Sequence, residues 1–136
     1  MIKLTDIYKE IFNRLKTLPY RVYDETPANP SNPHIRVDYS YNRDKSGNNY
    51  EGITYFQYIH AFSTYDGRKE VLEMTDAICE VLADDIVTAD FVAFPYLERT
   101  DIINESANTG GQKTGYNINE TYRHSVIVFK YIVYEN

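Results

Sequence analysis

The chain has 136 residues, with 14 Lys and Arg against 20 Asp and Glu for a net charge of -6, and 43% of it is hydrophobic. That length builds one domain with a real core and excludes a two-domain enzyme with a cleft between lobes. The single Cys79 excludes a disulfide framework or a thiolate metal site within the chain, and the acidic balance excludes ordinary duplex-DNA binding, which needs a surplus of Lys and Arg on one face. The acidic Asp6 near the start and the lack of any apolar run approaching the ~20 residues of a membrane span lead to the expectation of a soluble, non-secreted protein with no membrane partner, folding in a reducing compartment. The unusual component is tyrosine: 14 Tyr with 6 Phe and no Trp. Tyrosine has an apolar body and a polar tip, so the excess points to half-buried sheet faces and subunit contacts more than to a dry core.

In chain order, Leu4, Ile7, Tyr8, Ile11, Phe12, Leu15 and Leu18 recur at helical spacing, with Lys9, Glu10, Asn13, Arg14 and Lys16 on the opposite side, predicting an amphipathic helix that ends before Pro19. Arg21 to Tyr23 reads as a short strand leading into residues 24–33, where three prolines remove amide donors and make an extended loop. Ile35, Val37, Tyr39 and Tyr41 then alternate with Arg36, Asp38, Ser40 and Asn42, the period of a strand with one dry and one wet face. After a turn through Ser46 to Asn49, Ile53 to Tyr65 carries Ile53, Tyr55, Ile59 and Ala61 on one side and Phe56, Tyr58 and Phe62 on the other. A strand apolar on both faces belongs at the centre of a sheet covered on both sides, and in so short a chain a neighbouring subunit is one candidate for the second cover.

Asp66 or Gly67 is placed to cap a second helix, with Val71, Met74, Thr75, Ile78, Cys79 and Leu82 as its buried stripe and Glu73, Asp76, Glu80 and Asp84 opposite. Phe91 to Ile102 reads as a strand in which Pro95 requires an edge or a bulge. Residues 104–117, with Gly110, Gly111 and Gly115, lack periodicity and read as a flexible loop that is either disordered or ordered by a partner. Ile118 to Tyr134 completes the pattern as a strand apolar on both faces around Val126 to Phe129. The expected architecture is a single α+β domain over residues 1–136, with an antiparallel β-sheet of about four to five strands, two main helices packed on it, and flexible loops at 24–33 and 104–117.

No catalytic template fits. His34, His60 and His124 lack a second His or Cys at ligand spacing, and the two within predicted strands read as hydrogen-bonded structural histidines. Residues 110–115 lack the glycine spacing of a phosphate loop, no serine has a nucleophile-elbow context, and Cys79 reads as a small core residue, so neither catalysis, cofactor nor metal is expected. Charge is more informative: from Glu70 to Glu98 there are eight acidic residues and no Lys or Arg. Glu73, Asp76, Glu80 and Asp84 therefore form either a solvated face or an acidic surface that repels nucleic acid or pairs with a basic one, as the lumen of a DNA-passing ring would require.

The run Val22-Tyr23-Asp24-Glu25-Thr26-Pro27, a proline-rich gap and a following strand, together with Phe62-Ser63-Thr64-Tyr65-Asp66-Gly67-Arg68-Lys69-Glu70-Val71-Leu72-Glu73-Met74-Thr75-Asp76-Ala77-Ile78, resembles the small tail completion or tail-to-head joining proteins of long-tailed bacteriophages. The resemblance spans nearly the whole chain in length and element order, with residues 104–117 longer and more polar than it leads one to expect. It implies a tail terminator: a structural virion protein at the tail-head junction, assembled in the host cytoplasm. Such a protein is expected to cap the tail tube as a hexameric ring, meeting the tube protein and a head completion or connector protein and letting DNA pass without specific binding. Tyr39, Tyr41, Tyr55 and Tyr58 are then either subunit contacts or parts of the chain's own core, and Asp24 and Glu25 are candidates for contact with the connector. The alternatives are a head-side completion or minor capsid protein binding the portal, and a small ligand-binding module or enzyme with a pocket between sheet and helix.

Overall fold

The computed structural model describes residues 1–48, 50–64, 67–106 and 121–136, with backbone alone at 104–106 and 121–122. Its elements are α1 (Leu4–Leu15), β1 (Arg21–Tyr23), β2 (His34–Asp44), β3 (Gly52–Ser63), α2 (Lys69–Val81), β4 (Ile86–Val87), β5 (Phe91–Ser106) and β6 (Thr121–Glu135). The α+β class is as expected, but the sheet has six strands, in the order β1-β2-β3-β6-β5-β4, and is mixed. Two details escape periodicity. The segment 24–33 is long enough to carry the chain back to the start of the next strand, so β1 lies parallel to β2 with Arg21 opposite His34. β4 is a two-residue strand, too short to show any period, that pairs Ile86 with Ala93 and Val87 with Val92.

Other boundaries shift for local reasons. Helix α1 stops at Leu15, one turn before the predicted end. Asp66 lies outside the described residues, and Gly67 is not the cap of α2: Arg68 occupies that position without a side-chain hydrogen bond. Gly67 instead supplies a positive φ of 93° that turns the chain from β3 toward the helix. Glu70, in the first turn as expected, accepts a 2.6 Å hydrogen bond from the Ser63 hydroxyl at the end of β3. Residues 104–106, read as the start of a loop, continue β5, and 107–120 lie outside the described residues. Both readings of Pro95 hold: β4 covers only Val92 and Ala93, leaving Pro95 on the open edge of β5, and a bulge follows between Leu97 and Arg99.

Both helices pack on one face of the sheet, here called inner. Ile7, Ile11 and Leu15 of α1 and Val71, Met74 and Ile78 of α2 join Ile35, Val37, Tyr55, Ile59, Ala61, Ile127, Phe129, Tyr131 and Val133 in one buried cluster. Arg14 closes the layer from the side, its guanidinium donating to the carbonyls of Asp84 (2.6 Å) and Asp85 (2.9 Å) while pairing with Glu10 at 3.0 Å. A buried Thr75–Ser125 hydrogen bond of 2.8 Å ties α2 to β6. The central strands β3 and β6 alternate between this cluster and a second one on the opposite, outer face, formed by Phe56, Val126 and Val128 with Tyr41 and Tyr58. Among the described residues no helix covers that face.

The β2 strand does not keep the predicted parity. Ile35 and Val37 face the inner core, but a bulge between Val37 and Ser40 shifts the register, and from there Tyr39 and Tyr41 point outward with Ser40 inward. At the bulge the carbonyls of Asp38 and Tyr39 take side-chain donors. The fully buried Gln57 amide supplies them: Nε2 donates to Asp38 O (2.9 Å), Tyr39 O (3.2 Å) and Tyr58 O (3.0 Å), while Oε1 accepts from the Tyr55 hydroxyl at 2.9 Å. This accounts for a glutamine inside an otherwise apolar strand.

Two substitutions test these supports. Gln57→Leu takes the side-chain donor from two bulge carbonyls, while the Tyr55 hydroxyl keeps its hydrogen bond with Ser40; since a buried polar group without a partner costs ~1–3 kcal/mol, urea unfolding should show a loss of about 2 kcal/mol or more. Arg14→Ala should cost about 1–3 kcal/mol through its two charge-assisted hydrogen bonds, with Arg14→Lys failing to restore the paired geometry.

Candidate functional site

The outer face is laid out by register. Across β2, β3, β6 and β5, one row reads His34, Phe62, His124 and Ile103, the next Arg36, His60, Val126 and Asp101. Beyond the bulge the rows become Tyr58, Val128 and Arg99, then Tyr41, Phe56, Lys130 and Tyr96, then Arg43, Thr54, Ile132 and Phe94. Because directly opposed side chains stand about 4.5–5.5 Å apart, each aromatic row forms a stack.

In the first zone His34 stacks on Phe62 at 4.7 Å, Phe62 on His124 at 4.5 Å, and His124 on His60 at 4.8 Å, with the Arg36 guanidinium 5.5 Å above the Phe62 ring. His60 Nε2 lies 3.0 Å from Asp38 Oδ2, and His60 Nδ1 is hydrogen-bonded to His124 Nε2. The carboxylate accepts from Nε2–H, so on a neutral His60 the Nδ1 lone pair accepts from His124. Burial first, then the charges of His124 and Arg36, push the His60 imidazole below its ordinary value, outweighing Asp38. Burial and Arg36 likewise bring His34 down to about 4, although Ser31 hydrogen-bonds to it. The reading of hydrogen-bonded histidines thus agrees with the geometry, and spacing along the chain could not have paired His60 with His124 across two strands. Among the described residues no group of three His, Cys, Asp or Glu is arranged to hold a metal ion.

The second zone is aromatic. Tyr41 stacks on Phe56 at 4.5 Å, Tyr39 meets Tyr58 edge-on at 5.6 Å, and the Arg43 guanidinium sits 5.7 Å from both the Tyr41 and Phe56 rings. A shallow groove of about 240 Å³ is lined by Tyr41, Phe56, Tyr58, Glu98, Arg99 and Val128. Its rim carries Arg99–Asp101 (2.8 Å) and Lys130–Glu98 (3.8 Å) ion pairs, and Tyr39 and Tyr96 are 59% and 50% exposed.

The structure brings Tyr39, Tyr41 and Tyr58 together on this surface. Tyr55 departs from them: at 3% exposure it belongs to the inner core, edge-on to Tyr131 at 6.4 Å. Asp24, at the start of the proline segment, accepts a 2.6 Å hydrogen bond from the Tyr8 hydroxyl and ties the segment to α1, while Glu25 beside it is exposed. Glu73, Asp76, Glu80 and Asp84 are all exposed on the side of the molecule opposite the aromatic face. Sequence reading missed Arg43, Arg99 and Lys130 as parts of the surface, because only the pairing register shows which rings they cover.

The family model of tail completion protein gp17 matches residues 9–127. The chain belongs to the tail completion protein gp17 family. As a member it is a structural component of a bacteriophage virion and works in tail completion and virion assembly. Among solved structures, a chain of a particle described as the virion of native gene transfer agent superposes with a TM-score of 0.67 at 16% identity, covering 93% of this chain and 92% of that one, which shows a common fold. A search of curated protein sequences finds no match.

The buried histidines make stability pH-dependent. The unfolded chain protonates His34 near 6.5, whereas the folded chain resists until about 4, so the unfolded state binds the proton first. Stability from this source is complete above pH 6.5 and is lost as pH falls toward 4. Urea midpoints measured from pH 7 to 4.5 should show that decline, with a shallower slope in His34→Gln. Equal slopes would assign the decline to other groups.

Proposed function

We propose that this tail completion chain terminates the tail tube as a homo-oligomeric ring, a hexamer in its assembled form, and presents a second surface to the head connector. Tail membership supplies the context; the observation that carries the ring reading is the outer sheet face. Aromatic side chains stand there in three adjacent rows, and among the described residues no helix shields them. Phe56, Val126 and Val128 are buried beneath, while Tyr39 and Tyr96 stand exposed with arginines and a lysine among them, and aromatic and arginine side chains are enriched at contact surfaces. A repeated heterologous contact closes into a ring when its rotation closes, giving an end-cap whose opening passes DNA without specific binding.

The proline segment 24–33 is the proposed contact with the head side, reached through Asp24 and Glu25. Its hydrogen bond to Tyr8 and its prolines limit the ordering cost on docking.

Full-length protein mixed with purified tail tubes should form rings at tube ends in negative stain and shift to a multiple of the chain mass. Monomer alone in both the free and the tube-containing samples would overturn this function. Capture by portals rather than by tubes would move the protein to the head side. Glu25→Lys should leave the thermal midpoint unchanged while lowering head joining in a tail-plus-head assembly reaction, whereas Asp24→Ala should also lose up to ~1 kcal/mol with the Tyr8 bond.

A further inference from the structure

Resting on the ring reading, we infer that the seam between subunits pairs the acidic outer side of α2 in one copy with the aromatic, arginine-bearing sheet face of the next. The two surfaces lie on opposite sides of a two-layer domain, which is where a head-to-tail contact needs them.

Their chemistry is complementary. Helix α2 presents Glu73, Asp76 and Glu80, continued by Asp84, and no Lys or Arg occurs between Glu70 and Glu98. None of these four carboxylates is in an ion pair among the described residues. On the sheet face Arg36, Arg99 and Lys130 are already paired with Asp38, Asp101 and Glu98, which leaves Arg43 as the basic group open to a partner. Among the described residues no carboxylate pairs with Arg43, whose guanidinium sits 5.7 Å from the centroids of the Tyr41 and Phe56 rings. An unpaired guanidinium facing a stripe of unpaired carboxylates fixes the register of the contact.

The dimensions also agree. Within the helix the acidic stripe from Glu73 to Glu80 is about 10 Å long at 1.5 Å per residue, and Asp84 continues it past the helix end; this stripe fits within the basic rows, which extend about 20 Å along the strands from the level of His60 to that of Thr54. Leu72, 45% exposed one turn before Asp76, gives the helix an apolar anchor. The groove floored by Phe56, Tyr58 and Val128 is its receptor. Self-pairing of like faces is disfavoured on one side at least: two acidic helices would repel. This pairing assigns Glu73, Asp76, Glu80 and Asp84 to the seam rather than to the lumen.

A head-to-tail seam makes a distinctive prediction. One variant carries Asp76→Lys and Glu80→Lys; the other carries Arg43→Glu and Arg99→Glu. All four side chains are exposed or lie on the rim, so both variants should keep the wild-type circular dichroism spectrum. Each alone should lose self-association at least tenfold, by mass photometry of the free chain and by ring counts on tail tubes. Mixed in equal amounts they should recover even-numbered rings, since each reversed surface then meets its complement around an alternating circle. Leu72→Asp should block assembly in a way the mixture does not rescue. Wild-type rings alongside unaffected variants would overturn the pairing alone, as would folded variants that the mixture fails to rescue. Dimers that ignore the α2 charges would do the same, pointing to a sandwich of two aromatic faces. A wild-type chain that forms no ring, free or on tubes, would overturn the ring reading and the pairing with it.

Discussion

The Gln57 side chain holds the rest of the surface in place. A sheet tolerates an extra residue only if the carbonyls thrown out of the ladder find donors, and within an apolar face there is no water to supply them. Gln57 reaches across from the neighbouring strand and gives its amide to the carbonyls of Asp38 and Tyr39. With the bulge so stabilised, Tyr39 and Tyr41 turn to the same side as Phe56 and Tyr58, and Ser40 takes the inner position that a tyrosine would otherwise occupy. One buried amide therefore decides the chemistry of a surface several ångströms away from it.

The result is a domain with two unlike sides. The helices satisfy the inner face with aliphatic side chains and leave acidic residues outward, while the outer sheet face gathers rings, arginines and a lysine. The histidine stack and its link to Asp38 stiffen the end of that face where β1 and the proline segment meet the sheet. Tyrosine suits such a surface: its ring stacks on neighbours before any partner arrives, so little rotamer entropy remains to be lost on association. The abundance of tyrosine in the chain divides accordingly, with Tyr55 and Tyr131 in the core and Tyr39, Tyr41, Tyr58 and Tyr96 outside.

Much of this organisation was legible from residue order. The stripe from Ile7 to Leu15 announced a helix, the acidic run after Glu70 announced the exposed side of another, and the double-sided apolar character of Ile53 to Phe62 and Val126 to Phe129 announced the two central strands. Of the four candidate tyrosines, Tyr39, Tyr41 and Tyr58 share the outer face, whereas the position of Tyr55 in β3 turns it inward. Arg43 and Arg99 were not found at all, since a basic residue in a polar stretch carries no sign of which ring it will cover.

By itself the sequence determined the class of fold, the identity of the central strands, the acidity of α2 and membership of a structural phage family, because these follow from local periodicity, composition and short motifs. Only the tertiary structure decided that β1 runs parallel, that β4 exists, that the β2 tyrosines face outward and that His60 and His124 meet across strands. Each of those depends on a register or a bulge settled by side chains far apart in the chain, and a single-residue shift in register exchanges the two faces of a strand without changing its composition.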